Sequence, residues 1–105
     1  MNKEKEYMPS ITVLMAVYNG ERWLAESIQS VLEQTFTNFE FIIVNDGSKD
    51  STGTLADELA AKHDIVSAYH QSPNQGFGAT VRHGFRKAKH TYVTYIPVDY
   101  HFSAK

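Results

Sequence analysis

The stretch Phe39-Glu-Phe-Ile-Ile-Val-Asn-Asp-Gly-Ser48 decides the fold of this chain. Phe39–Val44 is an almost continuous apolar run, and Asn45, Asp46 and Gly47 end it abruptly. Apolar runs of this length that contain β-branched residues are typical of strands buried on both faces, as in a parallel sheet. We therefore predict a buried strand over Phe39–Val44 and a polar loop that begins at Asn45.

Further strands and helices are predicted on either side of this stretch. The other strands are Ile11–Val17, Ile65–Tyr69 and Tyr92–Ile96, and Pro97 ends the last because proline cannot continue a central ladder. Apolar residues at helical spacing indicate a helix between each pair of strands. These residues are Leu24, Ile28, Val31 and Leu32 in the first helix, Leu55 and Leu59 in the second, and Phe77, Val81, Phe85 and Ala88 in the third.

The helices carry signals of their own. Asn19 is a reasonable N-cap for the first helix, which should end near Thr35, and Asp50 or Ser51 can cap the second. Gly84 lies inside the third helix, where glycine lowers helix stability. It therefore indicates tight packing against a neighbouring element.

The β-α-β-α-β-α-β order predicts the α/β class, as a Rossmann-like, three-layer α/β/α arrangement around a mainly parallel sheet. In such sheets ligands bind outside the carboxyl ends of the strands, where the strand order reverses. The candidate binding segments are those that follow each strand: Tyr18-Asn19, Asn45-Asp46-Gly47, Gln71–Gly76 and Val98-Asp99.

Length and composition exclude several classes of protein. The 105 residues suit one domain. The chain has 10 Lys and Arg and 12 Asp and Glu, so its formal charge is −2. This charge argues against a protein that binds nucleic acid or membrane surfaces through a large positive charge. With Cys at 0, disulfides, thiolate metal sites and thiol nucleophiles are excluded. We find no signal-peptide core and no apolar run near the ~20 residues of a spanning helix, so we expect a cytoplasmic protein. Residues 1–8 are predicted to be a flexible lead-in to a domain over residues 9–105.

Asp46 is the strongest single candidate for contact with a ligand. A carboxylate that leaves a buried parallel strand can accept hydrogen bonds from a nucleobase N–H or a ribose hydroxyl, although Asp is also common in turns. Tyr18 could present its ring to a base, and Asn19 could donate to it. The alternative roles of these two residues are a packed aromatic ring and a helix N-cap.

The third helix and the fourth strand offer groups that suit a diphosphate. Gly76 lets the helix begin close to a ligand, with free backbone N–H groups toward a phosphate, and Arg82 could add a charged fork. Asp99 could hold a divalent metal that bridges a diphosphate, the alternative being a cap or turn residue. The 5 His show no metal-ligand spacing and are interpreted as surface or packing residues.

Four blocks of the sequence, in the correct order, carry a family resemblance. Ile11–Asn19 is similar to a first strand that ends in P-x-Y-N, with Ala16 in place of the proline, and Gln34–Thr52 is similar to Q-T-x-x-x-x-E-x-I-x-V-D-D-G-S-x-D-x-T. Asn74–Gly84 is similar to N-x-G-x-G-A-x-V-R-x-G, seen in a branch with polyprenyl-phosphate acceptors, and Tyr92–Asp99 to a strand that leads into a D-x-D motif. Together the blocks resemble the N-terminal, nucleotide-binding half of family 2 glycosyltransferases, which adopt the GT-A fold.

The resemblance implies roles for individual residues. In this family the residues that match Ala16, Tyr18 and Asp46 line the nucleoside pocket, and the second D-x-D carboxylate, here Asp99, binds Mg²⁺ or Mn²⁺ held by the diphosphate. Pro97 stands at the first D-x-D position, where it has no side-chain oxygen to offer. With the residues argued above, the predicted ligand-binding set is Ala16, Tyr18, Asn19, Asn45, Asp46, Gly76, Arg82, Val98 and Asp99, and Asp99 is the metal ligand.

The first functional hypothesis is the donor-binding part of a glycosyltransferase. Its donor would be a nucleoside-diphosphate sugar of the UDP or GDP type, and its acceptor a glycan or a polyprenyl phosphate. In the family the acceptor site and the catalytic base lie beyond the D-x-D motif, so we expect the chain, which stops at Lys105, to be inactive alone; a full-length protein could associate with a membrane. No residue is predicted as the base.

The alternative hypothesis is a degenerate, non-catalytic GT-A half-domain that acts as an oligomeric interaction module. Pro97 favours it, and an unpaired sheet edge would need a partner. A dinucleotide-binding oxidoreductase is disfavoured, because the first β-α turn lacks G-x-G-x-x-G.

Overall fold

The computed structural model describes residues 11–33, 38–90 and 92–97. Strands and helices alternate along these residues, as the sequence predicts. In chain order the elements are β1 (Ile11–Val17), α1 (Leu24–Leu32), β2 (Phe39–Asp46), α2 (Thr52–Lys62), β3 (Val66–Gln71), α3 (Phe77–Lys87) and β4 (Tyr92–Tyr95). No helix within the described ranges is long and apolar enough to cross a membrane.

The strands form one sheet in the order β3-β2-β1-β4, and every neighbouring pair is parallel. The chain moves outward from β1 to β2 and β3, and then returns past β1 to β4. The strand order therefore reverses between β1 and β4, which is where sheets of this kind bind their ligands. The predicted α/β class and parallel sheet are confirmed.

The two faces of the sheet are covered by different helices. Val13 and Met15 of β1 pack with α1 and α2, which carry the buried Ile28 and Ala56. Leu14, between them in sequence, faces the other side and shares a cluster with Val81 of α3. This alternation follows from the two-residue period of a strand, and it produces the predicted three layers.

Strand β2 is longer than the sequence predicts. Asn45 and Asp46 continue the strand, because they pair with His70 and Gln71 of β3. The prediction of a loop that begins at Asn45 is therefore wrong, and Asp46 is the last residue of a paired strand. Strand β3 likewise extends to Gln71, so its predicted end at Tyr69 is two residues early.

Asn19 is not the N-cap of α1. Its φ of 52° is left-handed, and the helix begins five residues further along the chain, at Leu24, with Trp23 at the N-cap position. The side-chain oxygen of Asn19 instead accepts the Lys49 N–H at 2.8 Å. Asparagine tolerates this backbone region better than most residues, so the residue type is explained by a turn and a contact between loops.

One of the two residues predicted to cap α2 makes a capping hydrogen bond. Ser51 precedes α2 but makes no side-chain capping bond, whereas Asp50 Oδ1 accepts the Thr52 N–H at 2.9 Å. Helix α1 ends at Leu32, and the predicted end near Thr35 lies outside the described residues, as does the lead-in over residues 1–8.

Gly84 fixes the distance between α3 and the sheet. A Cβ atom at this position would lie 2.1 Å from Leu14 Cδ1, far inside contact distance. Leu14 is fully buried, so its side chain has no room to move away. The prediction that Gly84 marks tight packing is confirmed by this contact.

We predict that Gly84→Ala destabilises the protein by about 1–3 kcal/mol, since overpacking of a dense core outweighs the gain in helix propensity. Gly78→Ala is the matched control in the same helix, because its Cβ would meet nothing nearer than Arg82 Nη1 at 3.5 Å. It should leave stability equal or raise it by up to about 1 kcal/mol. Urea denaturation measures both, and equal effects of the two substitutions would contradict this account.

Candidate functional site

A pocket of about 280 Å³ lies where β1 and β2 end and α3 begins. The pocket lies at the carboxyl ends of the strands, where a parallel sheet is expected to bind a ligand, and it adjoins β1, which borders the reversal of strand order. Four predicted residues from three segments meet in its wall: Ala16 and Tyr18 at the end of β1, Asp46 at the end of β2, and Gly76 before α3. The remaining lining residues are Val17, Asn74, Phe77 and Thr80.

Asp46 is buried, with 4% of its surface exposed, and it organises the loop between β3 and α3. Its Oδ1 accepts the Gln75 N–H at 2.6 Å and the Gln71 Nε2–H at 2.9 Å. Its Oδ2 accepts the Gly76 N–H at 3.0 Å. A carboxylate has about four acceptor positions, so the three bonds leave one on Oδ2 at the pocket wall.

These bonds also set the charge of Asp46. Burial raises the pKa of the carboxyl group, but the hydrogen bonds from Gln71, Gln75 and Gly76, together with the nearby side chain of Thr80, lower it by more, so the net pKa lies below its ordinary value. Hydrogen bonds to the ionised form stabilise the charge in this way. Asp46 is therefore an anionic acceptor at neutral pH.

Aromatic rings form the open side of the pocket. Tyr18 is 47% exposed and Phe77 is 64% exposed, although both line the cavity. Phe77 is held edge-on against Tyr95 of β4, with ring centroids 5.3 Å apart. Exposed rings beside a buried acceptor suit a flat, polar ligand that stacks on one group and hydrogen-bonds to another.

The loops after β1 and β2 are joined by hydrogen bonds in both directions. The Asn19 N–H donates to Ser48 Oγ at 2.8 Å, and Asn19 Oδ1 accepts the Lys49 N–H. The Gly20 N–H donates to Thr52 Oγ1 at 2.8 Å. Asn19 thus supports the backbone that presents Tyr18, and its side chain is engaged with protein.

Gly47 lets the loop after β2 touch the loop after β3. Its φ is +69°, and a Cβ here would lie 2.6 Å from the backbone N of Asn74. Any side chain at this position would push the two loops apart. The side chain of Asn74 adds a bond from its Nδ2 to the Asp46 carbonyl at 3.0 Å.

A second pocket of about 480 Å³ adjoins the first, and both are lined by Tyr18 and Asn74. Asn45 lies in its wall, and both ends of its side-chain amide contact protein groups. Asn45 Oδ1 accepts the Ser48 N–H at 3.2 Å, and Asn45 Nδ2 lies 3.0 Å from His70 Nδ1. His70 Nε2 in turn lies 2.8 Å from Asp57 Oδ1.

Gly76 directly precedes α3, and Arg82 lies in the middle of this helix. Gly76 has a φ of +93°, and no heavy atom lies within 4 Å of the position its Cβ would take. The Arg82 side chain is exposed and reaches back toward Gly78, one turn nearer the helix start. Arg82 does not line either described pocket, so its contact with a diphosphate stays a prediction.

The predicted metal site involves residues that the structure does not describe. Val98 and Asp99 lie outside the described residues. Among residues 11–33, 38–90 and 92–97, no three His, Cys, Asp or Glu side chains come together as a metal site. Asp46, the described carboxylate that lines the first pocket, accepts three hydrogen bonds from protein groups. The described part of the chain therefore does not itself form a metal site.

The predicted set of ligand-binding residues omits Gln71, Asn74, Phe77, Thr80 and His83, although the first two lie in the candidate segment Gln71–Gly76. Thr80 is fully buried, and its hydroxyl donates to the Gly76 carbonyl at 2.7 Å while accepting from Gln71 Nε2 at 2.8 Å. His83 Nδ1 lies 2.7 Å from Gln71 Oε1. The block Asn74–Gly84 contains most of these residues, but only the observed contacts separate their roles.

The sequence of this chain is similar to the sequences of known glycosyltransferases. The profile described as "Glycosyl transferase family 2" matches residues 12–104. An uncharacterized glycosyltransferase of Rickettsia typhi, RT0329, is 36% identical over 97 residues, which is 92% of this chain and 29% of that protein. The putative glycosyltransferase EpsH of Bacillus subtilis is 37% identical over 91 residues, or 87% of this chain and 26% of that protein. The chain thus spans less than a third of the length of these relatives.

Solved structures show the same fold. The mannosyltransferase PcManGT from Pyrobaculum calidifontis, in complex with GDP-Man and Mn²⁺, has a TM-score of 0.86 at 22% identity, over 93% of this chain and 30% of that chain. The S. aureus TarS 1-349 structure in complex with UDP-GlcNAc has a TM-score of 0.78 at 24% identity, over 88% of this chain and 27% of that chain. The predicted fold, the N-terminal half of the GT-A fold, is confirmed by these likenesses.

We predict that Asp46→Asn destabilises the protein by about 1–3 kcal/mol at pH 7, because an amide nitrogen would replace one acceptor and face N–H donors. The lowered pKa of Asp46 means that its carboxylate stabilises the fold above the ordinary Asp pKa, and that this contribution is lost as pH falls through the folded-state pKa. The difference in free energy of unfolding between wild type and Asp46→Asn should therefore become smaller below about pH 4.

Urea denaturation at several pH values measures this difference. Asp64→Asn, at an exposed turn residue, is the control and should change stability by less than about 0.5 kcal/mol. A difference that is constant from pH 7 to pH 3 would show that the charge of Asp46 does not stabilise the fold.

Proposed function

The chain belongs to glycosyl transferase family 2, and on that premise we propose that it binds the nucleoside diphosphate of a sugar donor. The donor is of the UDP or GDP type. The observation that carries the proposal is that Tyr18 and Asp46, at the carboxyl ends of the neighbouring parallel strands β1 and β2, line one pocket. The PcManGT and TarS structures hold GDP-Man and UDP-GlcNAc respectively.

The pocket chemistry supports a nucleoside. The exposed Tyr18 ring offers a stacking surface, and stacking tolerates any flat base. The remaining acceptor position on Asp46 Oδ2 suits a ring or exocyclic N–H, or a ribose hydroxyl. We propose Ala16, Asn19, Asn45 and Val98 as further members of the site, with Asn19 and Asn45 holding loop geometry through the bonds described above.

The diphosphate would extend from the nucleoside toward the start of α3. Gly76 leaves open space there, and the side chain of Arg82 reaches back along the helix. We propose that Mg²⁺ or Mn²⁺ accompanies the diphosphate, held by Asp99 and phosphate oxygens; this ion would supply the charge neutralisation that a departing nucleoside diphosphate needs. The PcManGT structure contains Mn²⁺.

Sugar transfer needs an acceptor oxygen beside the donor: a glycan offers a hydroxyl, which needs a base, and a polyprenyl phosphate offers a phosphate oxygen, which is already anionic. For the whole protein we propose a glycan or a polyprenyl phosphate as acceptor. The described carboxylate of the first pocket, Asp46, has a lowered pKa and is bonded to protein donors, so it is a poor proton acceptor. We therefore expect the 105-residue chain to bind the donor without transferring the sugar.

Titration calorimetry with UDP and GDP, each with and without Mn²⁺, tests the proposal. Tyr18→Ala should weaken binding by about 1–3 kcal/mol, or roughly fivefold to a hundredfold, because the stacking surface is lost. Tyr92→Ala is the matched control, since Tyr92 is 62% exposed and lies at the opposite end of the sheet, beside Ile11. It should leave the Kd within twofold of wild type.

Two outcomes would contradict donor binding. A folded sample that binds none of the nucleotides would refute the proposal directly, and equal losses in Tyr18→Ala and Tyr92→Ala would place the ligand elsewhere. An oligomer in light scattering without nucleotide binding would favour the interaction module instead. Within the described residues β3 and β4 each pair with a single strand, so their outer edges are candidate places for such a contact.

A further inference from the structure

A chain of hydrogen bonds runs from the pocket carboxylate into the middle of α3. Gln71 Nε2 donates to Asp46 Oδ1 at 2.9 Å and to Thr80 Oγ1 at 2.8 Å. Gln71 Oε1 lies 2.7 Å from His83 Nδ1. Gln71 thus connects Asp46, which lines the pocket, with His83, which lies outside it.

The chemistry of the partners fixes the direction of every bond in this chain. An ionised carboxylate only accepts, and the Thr80 hydroxyl already donates to the Gly76 carbonyl at 2.7 Å, so its oxygen accepts from Gln71. Both contacts therefore need the amide nitrogen of Gln71. Its oxygen must then face His83, and the Nδ1 of His83 must carry the hydrogen.

The opposite orientation of the Gln71 amide would be unfavourable at two places. Its oxygen would face the Asp46 carboxylate and the acceptor side of the Thr80 hydroxyl. A donor at position 83 opposes this rotation, because it binds the amide oxygen from the far side. An acceptor or an apolar side chain at position 83 would not.

We propose that His83 is a positioning residue for the nucleotide pocket: the N–H at its Nδ1 holds the Gln71 amide so that Gln71 donates to Asp46 and the outer acceptor position of Asp46 Oδ2 stays directed at the ligand. This inference rests on the proposed donor binding. It adds a residue that acts through two others and touches neither base nor phosphate.

The surroundings of His83 support this role. The side chain is partly buried, and its ring lies 6.0 Å from that of Tyr69. Burial, together with the positive charges of Arg86 and Lys87, lowers the pKa of His83, so the ring is neutral at physiological pH. A neutral imidazole carries one hydrogen, and the Gln71 oxygen selects Nδ1 for it. The next residue, Gly84, fixes the helix against Leu14.

The test compares His83→Leu with His83→Asn in the 105-residue chain. Leucine removes the donor, whereas asparagine can place an amide N–H near the position of Nδ1. In His83→Leu we expect the Kd for UDP or GDP to rise roughly three- to tenfold, the loss of about one neutral hydrogen bond. His83→Asn should restore most of the lost affinity.

A spectroscopic readout separates positioning from general loss of structure. Titration of the Asp46 Cγ carbon by NMR should show a higher pKa in His83→Leu than in wild type, because the Gln71 donor is less firmly held. At neutral pH the Gln71 side-chain protons should shift toward values of a free amide. Both quantities should return toward wild type in His83→Asn.

The affinity and the Asp46 pKa together distinguish a positioning role of His83 from a packing role. Wild-type affinity and an unchanged Asp46 pKa in His83→Leu would overturn the inference, and so would equal losses in the two variants, which would indicate a packing role only. If wild type binds no nucleotide, donor binding fails, and the Asp46 titration still decides whether His83 positions Asp46.

Discussion

The site depends on one buried anion and the N–H groups that surround it. Asp46 lies at the end of a paired strand, and two backbone N–H groups of the β3–α3 loop bond to its carboxylate. An unpaired carboxylate in this position would cost several kcal/mol, so the loop is held where it satisfies the charge. The start of α3, and with it one wall of the pocket, is placed by that requirement.

Two glycines allow the rest of the structure to meet this requirement. Gly47 lets the backbone of the β2–α2 loop approach that of Asn74, and Gly84 lets α3 lie directly on Leu14. Neither glycine touches the pocket through a side chain. Both determine how close the segments that carry the pocket side chains come to one another, which is why a small cavity with a buried acceptor and exposed rings can form.

Much of this arrangement could be predicted from residues 39–48 and the alternation around them. The apolar run and its polar end indicate a buried parallel strand, and strand ends in such a sheet meet at one edge, so Tyr18 and Asp46 are expected close together, and both line the first pocket. Ala16 is expected there only from the family resemblance. The bonding of Asp46 could not be predicted, because Gln71, Gln75 and Gly76 reach it only through a loop whose path has no sequence period. The prediction of Asn19 as an N-cap is wrong for a related reason. Asparagine favours both helix caps and left-handed turns, and only the contact with Lys49 distinguishes the two roles.

The reciprocal bonds between the loops after β1 and β2 have a practical consequence for engineering. Asn19 and Gly20 on one loop exchange hydrogen bonds with Ser48, Lys49 and Thr52 on the other. A transplant of one loop from a relative would bring donors and acceptors that do not match the loop left behind. Efforts to reshape the first pocket should therefore exchange both segments as a unit, since each loop supplies hydrogen-bond partners for the other.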